Sequence, residues 1–205
     1  MPEHAYHHGD LASALLKAAE EELALHGIEA FSLRAVAKRA GVSHGAPAHH
    51  FKDAKGLLTT LAARGYERLV EAQVSRQREA DEDPTAQCIA SGLGYLDFAR
   101  ANPELFRLMF SSDKPRRSQD DFARSAGTAF ANLVGDIRNK LGSDPYEDPV
   151  AMKQVVASWS IVHGLADLLI SGRLDAPLAV VGTEAERDEI MSEIMLRVLE
   201  GPGRA

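Results

Sequence analysis

Three observations make this an all-α sequence. Apolar residues recur at helical spacing along most of the 205 residues, and no stretch alternates strictly between apolar and polar as a half-buried strand does. Gly, Pro and Asx residues also fall at intervals that end one helix and cap the next. There are no internal repeats or low-complexity tracts. A hydrophobic content of 45% is that of an ordinary globular protein, and the length allows one large or two small domains with a proper core. The single cysteine, Cys88, excludes an internal disulfide framework, suits a reducing compartment and reads as a packing residue. MPEHAYHHGD holds no apolar signal-peptide core, and no apolar run is long enough to span a bilayer. The expectation is a soluble, cytoplasmic protein with no membrane partner.

Leu11, Leu15, Ala18, Ala19 and Leu23 predict a helix from Asp10, its candidate cap, to His26, with Gly27 as its stop. Ile28 and Phe31 follow as core. Ser32 caps a helix over Leu33–Ala40, with Ala35, Val36 and Ala40 inward and Arg34, Lys38 and Arg39 in water. Gly41 ends that helix, Val42 plugs the corner, and Ser43 can cap a second helix closing on His49-His50-Phe51. Pro47 has no N–H and clashes with a carbonyl four residues earlier, so this helix starts near Gly45 or Ala46 and stays short. Two short helices joined by a Gly-containing turn form a helix-turn-helix, whose second helix enters a DNA major groove.

Asp53 caps a long helix from Ala54 to about Ala80, with Leu57, Leu58, Leu61, Leu69 and Ala72 inward. Gly56 and Gly65 lower its propensity and let neighbours approach. An acidic loop, Asp81–Pro84, leads into a helix to Arg100 that carries Ile89, Leu93, Leu96 and Phe98. Asn102 as cap and Pro103 at the first position open a short helix with Leu105, Phe106, Met109 and Phe110. Ser111 to Asp121 reads as an exposed, mobile loop, and Phe122 to Leu141 as a helix ended by Gly142. The stripe Met152, Val155, Val156, Trp159, Val162, His163, Ala166 and Ile170 is widened by Ile161, Leu165 and Leu168, which predicts burial on two sides. Gly172 and Pro177 end it, a loop crosses to Glu184, and Ile190, Met191, Ile194, Met195 and Val198 mark the last helix.

The ordered series Gly27, Phe31, Ser32, Ala37, Ala40-Gly41-Val42-Ser43, His50-Phe51 and Lys55 resembles the N-terminal domain of the tetracycline-repressor (TetR) family, over about Gly9 to Leu61. Trp159-Ser160-Ile161-Val162-His163-Gly164 is similar to the Trp-His-Gly signature of a C-terminal domain found in part of that family. Tyr6-His7-His8-Gly9-Asp10 is similar to the lead-in of one subfamily, and such an arm can lie along a phosphate or reach into the minor groove. The resemblance implies an all-α dimer. Residues 1–55 would form the three-helix DNA-binding head, and residues 56–205 a helical body for effector binding and dimerisation.

The candidate DNA-contacting residues are Ser32, Arg34, Ser43, His44, Ala46, Pro47, His49, Lys52 and Lys55. By resemblance, His49 and Lys55 contact phosphate and His50-Phe51 anchor the reading helix from behind. Ala48 stands where many members have Tyr, so one contact is missing. The candidate effector set is Phe98, Phe106, Met109, Phe110, Phe130, Trp159 and His163, since an apolar pocket with few polar groups suits a small molecule. Trp159 and His163 also read as a core tryptophan with a hydrogen-bonded histidine. Met152, Val156, Ile170, Ile190, Ile194 and Val198 are the candidate dimer face.

The net charge of −7 excludes blanket nucleic-acid binding, and residues 1–72 hold eight Lys/Arg against nine Asp/Glu. What matters is whether the cations cluster on one face. No GxSxG, P-loop, GxGxxG or HExxH occurs, so no enzyme and no cofactor are expected. Asp136, Asp167 and Asp175 read as solvated or capping groups. Seven of the eight histidines fall in the first fifty residues, but no i, i+4 pair with a third ligand presents a metal site. The sequence therefore points to a ligand-responsive transcriptional regulator, a repressor by family default. It would bind an inverted-repeat operator as a homodimer and be released by a small, largely apolar effector. The alternative is a helical small-molecule-binding or interaction protein without sequence-specific DNA binding, supported by Pro47, Ala48 and the acidic balance.

Overall fold

The computed structural model describes residues 8–183 and 186–200; the arm before His8 and Glu184 lie outside them. Ten helices run through the described residues: α1 His8–His26, α2 Leu33–Arg39, α3 Ala46–Phe51, α4 Ala54–Glu79 and α5 Pro84–Ala101, followed by α6 Pro103–Phe110, α7 Asp120–Leu141, α8 Pro149–Ile170, α9 Asp175–Val181 and α10 Arg187–Glu200. No strand occurs among the described residues. Two compact units are formed, Met1–Tyr66 with Asn102–Ala126, and Glu67–Ala101 with Gly127–Ala205. The sequence places a functional division at residue 55, whereas the compact units divide α4 after Tyr66 and assign α6 to the first unit.

In the first unit α1 packs on α2 and α6, and α2 packs on α3. Leu15, Leu23, Val36, Leu57, Leu61, Phe106, Leu108 and Met109 are buried in its core. A buried aromatic or leucine side chain contributes roughly 1.5–3 kcal/mol by leaving water. Ser32 caps α2 by accepting from the Ala35 N–H at 3.2 Å. The inward face of α2 is Val36 and Ala37; Ala35 and Ala40 are only half-buried. Gly41 takes φ +69°, a left-handed conformation in which a Cβ would be strained, and so reverses the chain between α2 and α3. The Tyr66 hydroxyl donates to the Met109 carbonyl at 3.3 Å, and its ring meets Phe110 and Phe122 edge-on.

In the second unit α5 packs on α8 and α10, and α8 packs on α10. Val134, Ile137, Val155 and Leu199 form a core cluster against Phe130, Leu133, Met152, Cys88 and Ile89. Arg76 on α4 ties this unit together, its Nε 2.6 Å from Asp97 on α5 and its Nη2 3.0 Å from Asp188 on α10.

Several sequence expectations change. A loop was expected across 173–183, but α9 forms there with Pro177 in its first turn, where no helical partner needs an N–H. Asn102 stands at the cap position of α6 without a side-chain capping bond. α8 buries Ala151, Val155, Val162 and Ala166. Its other side is open, with Val156 51%, Trp159 40% and Leu168 36% exposed, so it is buried on one side and not two. The 111–119 loop is also not simply exposed, since Pro115 is buried. No single described helix is long and apolar enough to cross a membrane; α8 and α9 reach that length and composition only together, bent by 107°.

Candidate nucleic-acid interface and effector cavity

The reading helix α3 has six residues and begins at Ala46, where Pro47 forces it to begin. Ser43 does not cap it with its hydroxyl. Gly45 holds the cap position without a side-chain bond, and the Ser43 carbonyl accepts from the Ala46 N–H at 3.0 Å. Ser43 and His44 before the helix and His49 near its end are exposed, Ala46 is half-buried, and Pro47 is buried. Pro47 thus supports the helix from within, which removes it from the surface set. Ser32 and Arg34 are exposed at the start of α2, and Lys52 and Lys55 are exposed on the other flank of α3.

Charge is sorted by pairing. Glu22 on α1 is buried and takes Arg39 in a double contact, Nε and Nη2 each 2.9 Å from its Oε2, while Glu21 lies 3.6 Å from Nη1. Arg39 therefore clamps α2 to α1 and is not the free surface cation that sequence reading made it. Arg34, Lys38, Lys52 and Lys55 have no acidic partner within 4 Å among the described residues. Four of the unpaired cations of the first unit thus lie on α2 and at the α3–α4 corner, besides Lys17 on α1 and Arg64 on α4. The acidic count of the head does not cancel them locally.

That corner is held by unusual backbone. Lys52 has φ +74° and ψ −56°, and the Asp53 N–H donates to the Phe51 carbonyl at 2.8 Å, a strained γ-turn with Lys52 at its apex. The Asp53 carboxylate caps α4 by accepting from the Gly56 N–H at 2.8 Å. A Cβ at Gly56 would stand 2.0 Å from the Phe51 carbonyl oxygen, so only glycine lets α4 start against the end of α3. The 111–119 loop fastens the same corner. The Arg116 N–H donates to Thr59 Oγ1 at 2.9 Å, and its guanidinium lies 2.6 Å from Asp53 Oδ2. This hydrogen bond, with the Gly56 N–H, holds the Asp53 carboxyl below the usual carboxylate range. A groove of about 490 Å³ runs between His49, Lys52 and Arg116. Asp53 was expected as the cap of α4, but its pairing with Arg116 was not, because a pair 63 positions apart leaves no local periodicity.

The expected effector residues are distributed between the units. Phe106, Met109 and Phe110 belong to the first, packed with Tyr66. Phe98, Phe130, Trp159 and His163 belong to the second. There Trp159 stacks edge-on against Phe130 and against His163, and Tyr95 Oη lies 2.8 Å from His163 Nδ1. Burial pushes the His163 pKa down despite Asp167 nearby, so the ring is neutral at pH 7. Trp159 is 40% exposed and so is not a core tryptophan, whereas His163 is hydrogen-bonded as expected.

None of these seven residues borders the cavity between α4, α5, α7, α8 and α10, which holds about 40 Å³, enough for a few waters, nor the more open groove of about 490 Å³ between α9 and α10. Gln73 from α4, Cys88, Ser91 and Gly92 from α5, Leu133 and Asp136 from α7, Ile161 and Val162 from α8, and Met195 and Val198 from α10 line the cavity. Val198, a candidate for the dimer face, is among these lining residues. Asp136, read from sequence as a solvated carboxylate, accepts from Gln77 Nε2 at 2.9 Å, and burial pushes its pKa up. Burial, with Asp136 beside it, also raises the Cys88 thiol to about 12, which leaves it an unreactive thiol. A signal for this site did exist: Gln73 and Gln77 continue the Leu69 stripe of α4, where apolar residues belong. No three His, Cys, Asp or Glu side chains come together as a metal site among the described residues.

Residues 15–61 match the bacterial regulatory proteins of the tetR family, and residues 88–191, which include 102–126 of the first unit, match the tetracyclin repressor-like C-terminal domain. A protein with unknown function from Rhodococcus sp. RHA1 is 29% identical and superposes with a TM-score of 0.79, over 98% of this chain and 100% of that one. A TetR-like transcriptional regulator from Rhodococcus sp. RHA1 is 14% identical, with a TM-score of 0.65 over 98% and 100% of the two chains. A TetR family transcription regulator from Marinobacter aquaeolei VT8 is 20% identical, with a TM-score of 0.65 over 92% and 94%. The last two share the fold at that identity. No curated protein matches the chain.

Proposed function

The chain belongs to the TetR family of bacterial regulatory proteins, and from that premise we propose that it is a cytoplasmic transcriptional repressor that binds an inverted-repeat operator as a homodimer and leaves it when a small effector occupies the second unit. One observation carries the reading: a short helix, α3, with Ala48 and His49 exposed, preceded along the chain by the unpaired cations Arg34 and Lys38 and followed by Lys52 and Lys55. Phosphate contacts of this kind, with His49 among them, fix register and supply most of the affinity, while Ser43 and His44 would reach base edges.

A single reader of this size covers only a few base pairs. Two readers related by a two-fold axis reach successive major-groove faces, which makes the operator an inverted repeat. The open side of α8, with Val156, Trp159 and Leu168 exposed, supports a dimer face there. Effector coupling requires different affinities for the two states, because equal affinity shifts nothing. Lys55 and Gln73 lie on one continuous helix, α4, so a ligand at Gln73 acts on the element that also carries a phosphate contact.

The test is selection from randomised duplex DNA at near-physiological salt without effector, followed by sequencing. Enrichment of an inverted repeat is the expected result. A folded dimer that enriches nothing would sink the operator reading and favour the interaction protein without sequence-specific DNA binding.

A further inference from the structure

In the cavity of the second unit two acceptor oxygens, one on Gln73 and one on Asp136, are buried without a partner at hydrogen-bond distance, although Gln77 and the Ser91 hydroxyl act on the Asp136 carboxyl. Gln73 is 6% exposed; its Nε2 donates to Ser91 Oγ at 3.1 Å, and its Oε1 is buried without a partner. Asp136 receives Gln77 Nε2 on Oδ1, and its Oδ2 is likewise buried without a partner. No Lys or Arg pairs with Asp136 among the described residues. Lys140, one turn along α7, is engaged on Thr85 Oγ1 at 3.0 Å. Around these groups the wall is mostly apolar, with Leu133, Ile161, Val162 and Met195.

An ionised carboxylate only accepts hydrogen bonds, and a buried acceptor left unmade is costly. A bridging water can satisfy the lone pairs but brings no countercharge. An ammonium does both, offering three N–H donors and neutralising a carboxylate that burial disfavours. Burial raises the Asp136 pKa even though the Ser91 hydroxyl and Gln77 pull it down, and no cation among the described residues restores it. A ligand with its own carboxylate would meet like charge in a dry wall and be rejected.

We propose that this cavity takes a small alkylammonium, whose N–H groups are donated to Asp136 and Gln73 and whose apolar body lies on Ile161, Val162 and Met195. The proposal rests on the reading of the cavity as the effector site and replaces a largely apolar effector with a cationic one.

The test uses the full chain and three molecules small enough for the cavity, ethylamine, ethanol and acetate, measured by calorimetry near pH 7. The amine should bind at least tenfold more tightly than the alcohol, and acetate should not bind. Asp136→Asn should erase the amine's advantage and leave the alcohol's affinity within about twofold. Gln73→Leu, read in the same way, keeps the test alive should Asp136→Asn fail to fold. Ile161→Trp, which fills the cavity, should abolish amine binding with the carboxylate still in place. Equal affinity for amine and alcohol, undiminished amine binding in folded Asp136→Asn or Gln73→Leu, or no binding of any probe to folded wild type would overturn the proposal. Operator binding is followed on the same samples. Amine binding without any operator would leave the cation site standing and sink the regulator. Operator release by a neutral or acidic compound, blocked by Ile161→Trp, would keep the regulator and sink the cation site.

Discussion

Replacing Lys55 by Ala removes an exposed ammonium that no acidic group neutralises. Each phosphate neutralised contributes a slope of about −0.9 to log affinity against log salt. A dimer carries two copies of Lys55, so the variant's slope should be shallower by about 1.8. Between about 50 and 200 mM salt, a fourfold change, that amounts to roughly a 12-fold smaller loss of affinity than wild type suffers. The assay is fluorescence anisotropy across a salt series, on operator and on scrambled duplex, and both should lose affinity alike. Arg39→Ala is the internal control. Arg39 is already spent on Glu22 and Glu21, so its slope should match wild type while the protein loses about 1–3 kcal/mol, because buried Glu22 keeps only His26, 3.6 Å away, as a partner. An unchanged slope for Lys55→Ala, or an equal slope change for Arg39→Ala, would refute this assignment of free and occupied cations.

Gly56→Ala gains about 1 kcal/mol of helix propensity, yet its Cβ would lie 2.0 Å from the Phe51 carbonyl. The clash should dominate, with a net loss of about 1–3 kcal/mol in urea unfolding; a stabilised variant would show that α3 and α4 do not meet so closely. His163 has its pKa lowered by burial, so the unfolded chain binds its proton more readily. Its contribution to stability is complete above the unfolded pKa, about 6.5, and is lost as pH falls below it. His163→Gln should flatten that part of the pH–stability curve, and an unaltered curve would reject a buried neutral ring. Val156→Asp puts a charge on the open side of α8, where Val156 is 51% exposed. Sedimentation should then show monomer with unchanged helicity, whereas an intact dimer would move the interface elsewhere.

The elements whose signals are local were legible in the sequence. Ser32 capped the helix it was expected to cap, Asp53 and Gly56 closed the α3–α4 corner, and Pro47 set the late start and short length of α3. Pro177 misled because proline both breaks helices and opens them, and here it sits in the first turn of α9. Pairings across sequence were not legible. Arg39 and Lys38 are neighbours of identical charge, and only the position of Glu22 on α1 makes one occupied and the other free. Asp136 looked like any helical carboxylate because burial is a property of what packs against it. For the same reason the greasy face of α6 suggested a ligand pocket, although Phe106 and Met109 are core of the first unit.

The first unit is written in two pieces, residues 1–66 and 102–126, with 67–101 spent elsewhere. A ribosome adding about 5–20 residues per second leaves roughly 3–12 s between Tyr66 and Ala126. For that interval the reader exists without Met109 against Gly65, without the Tyr66–Met109 bond and without Arg116 on Asp53. The nascent head therefore shows an unfinished apolar side to chaperones and proteases until the second piece arrives. It also means that the reader is not a cassette. A chimaera that exchanges DNA specificity with a relative by cutting at residue 66 would carry the bases' contacts and leave behind the residues that hold them in place.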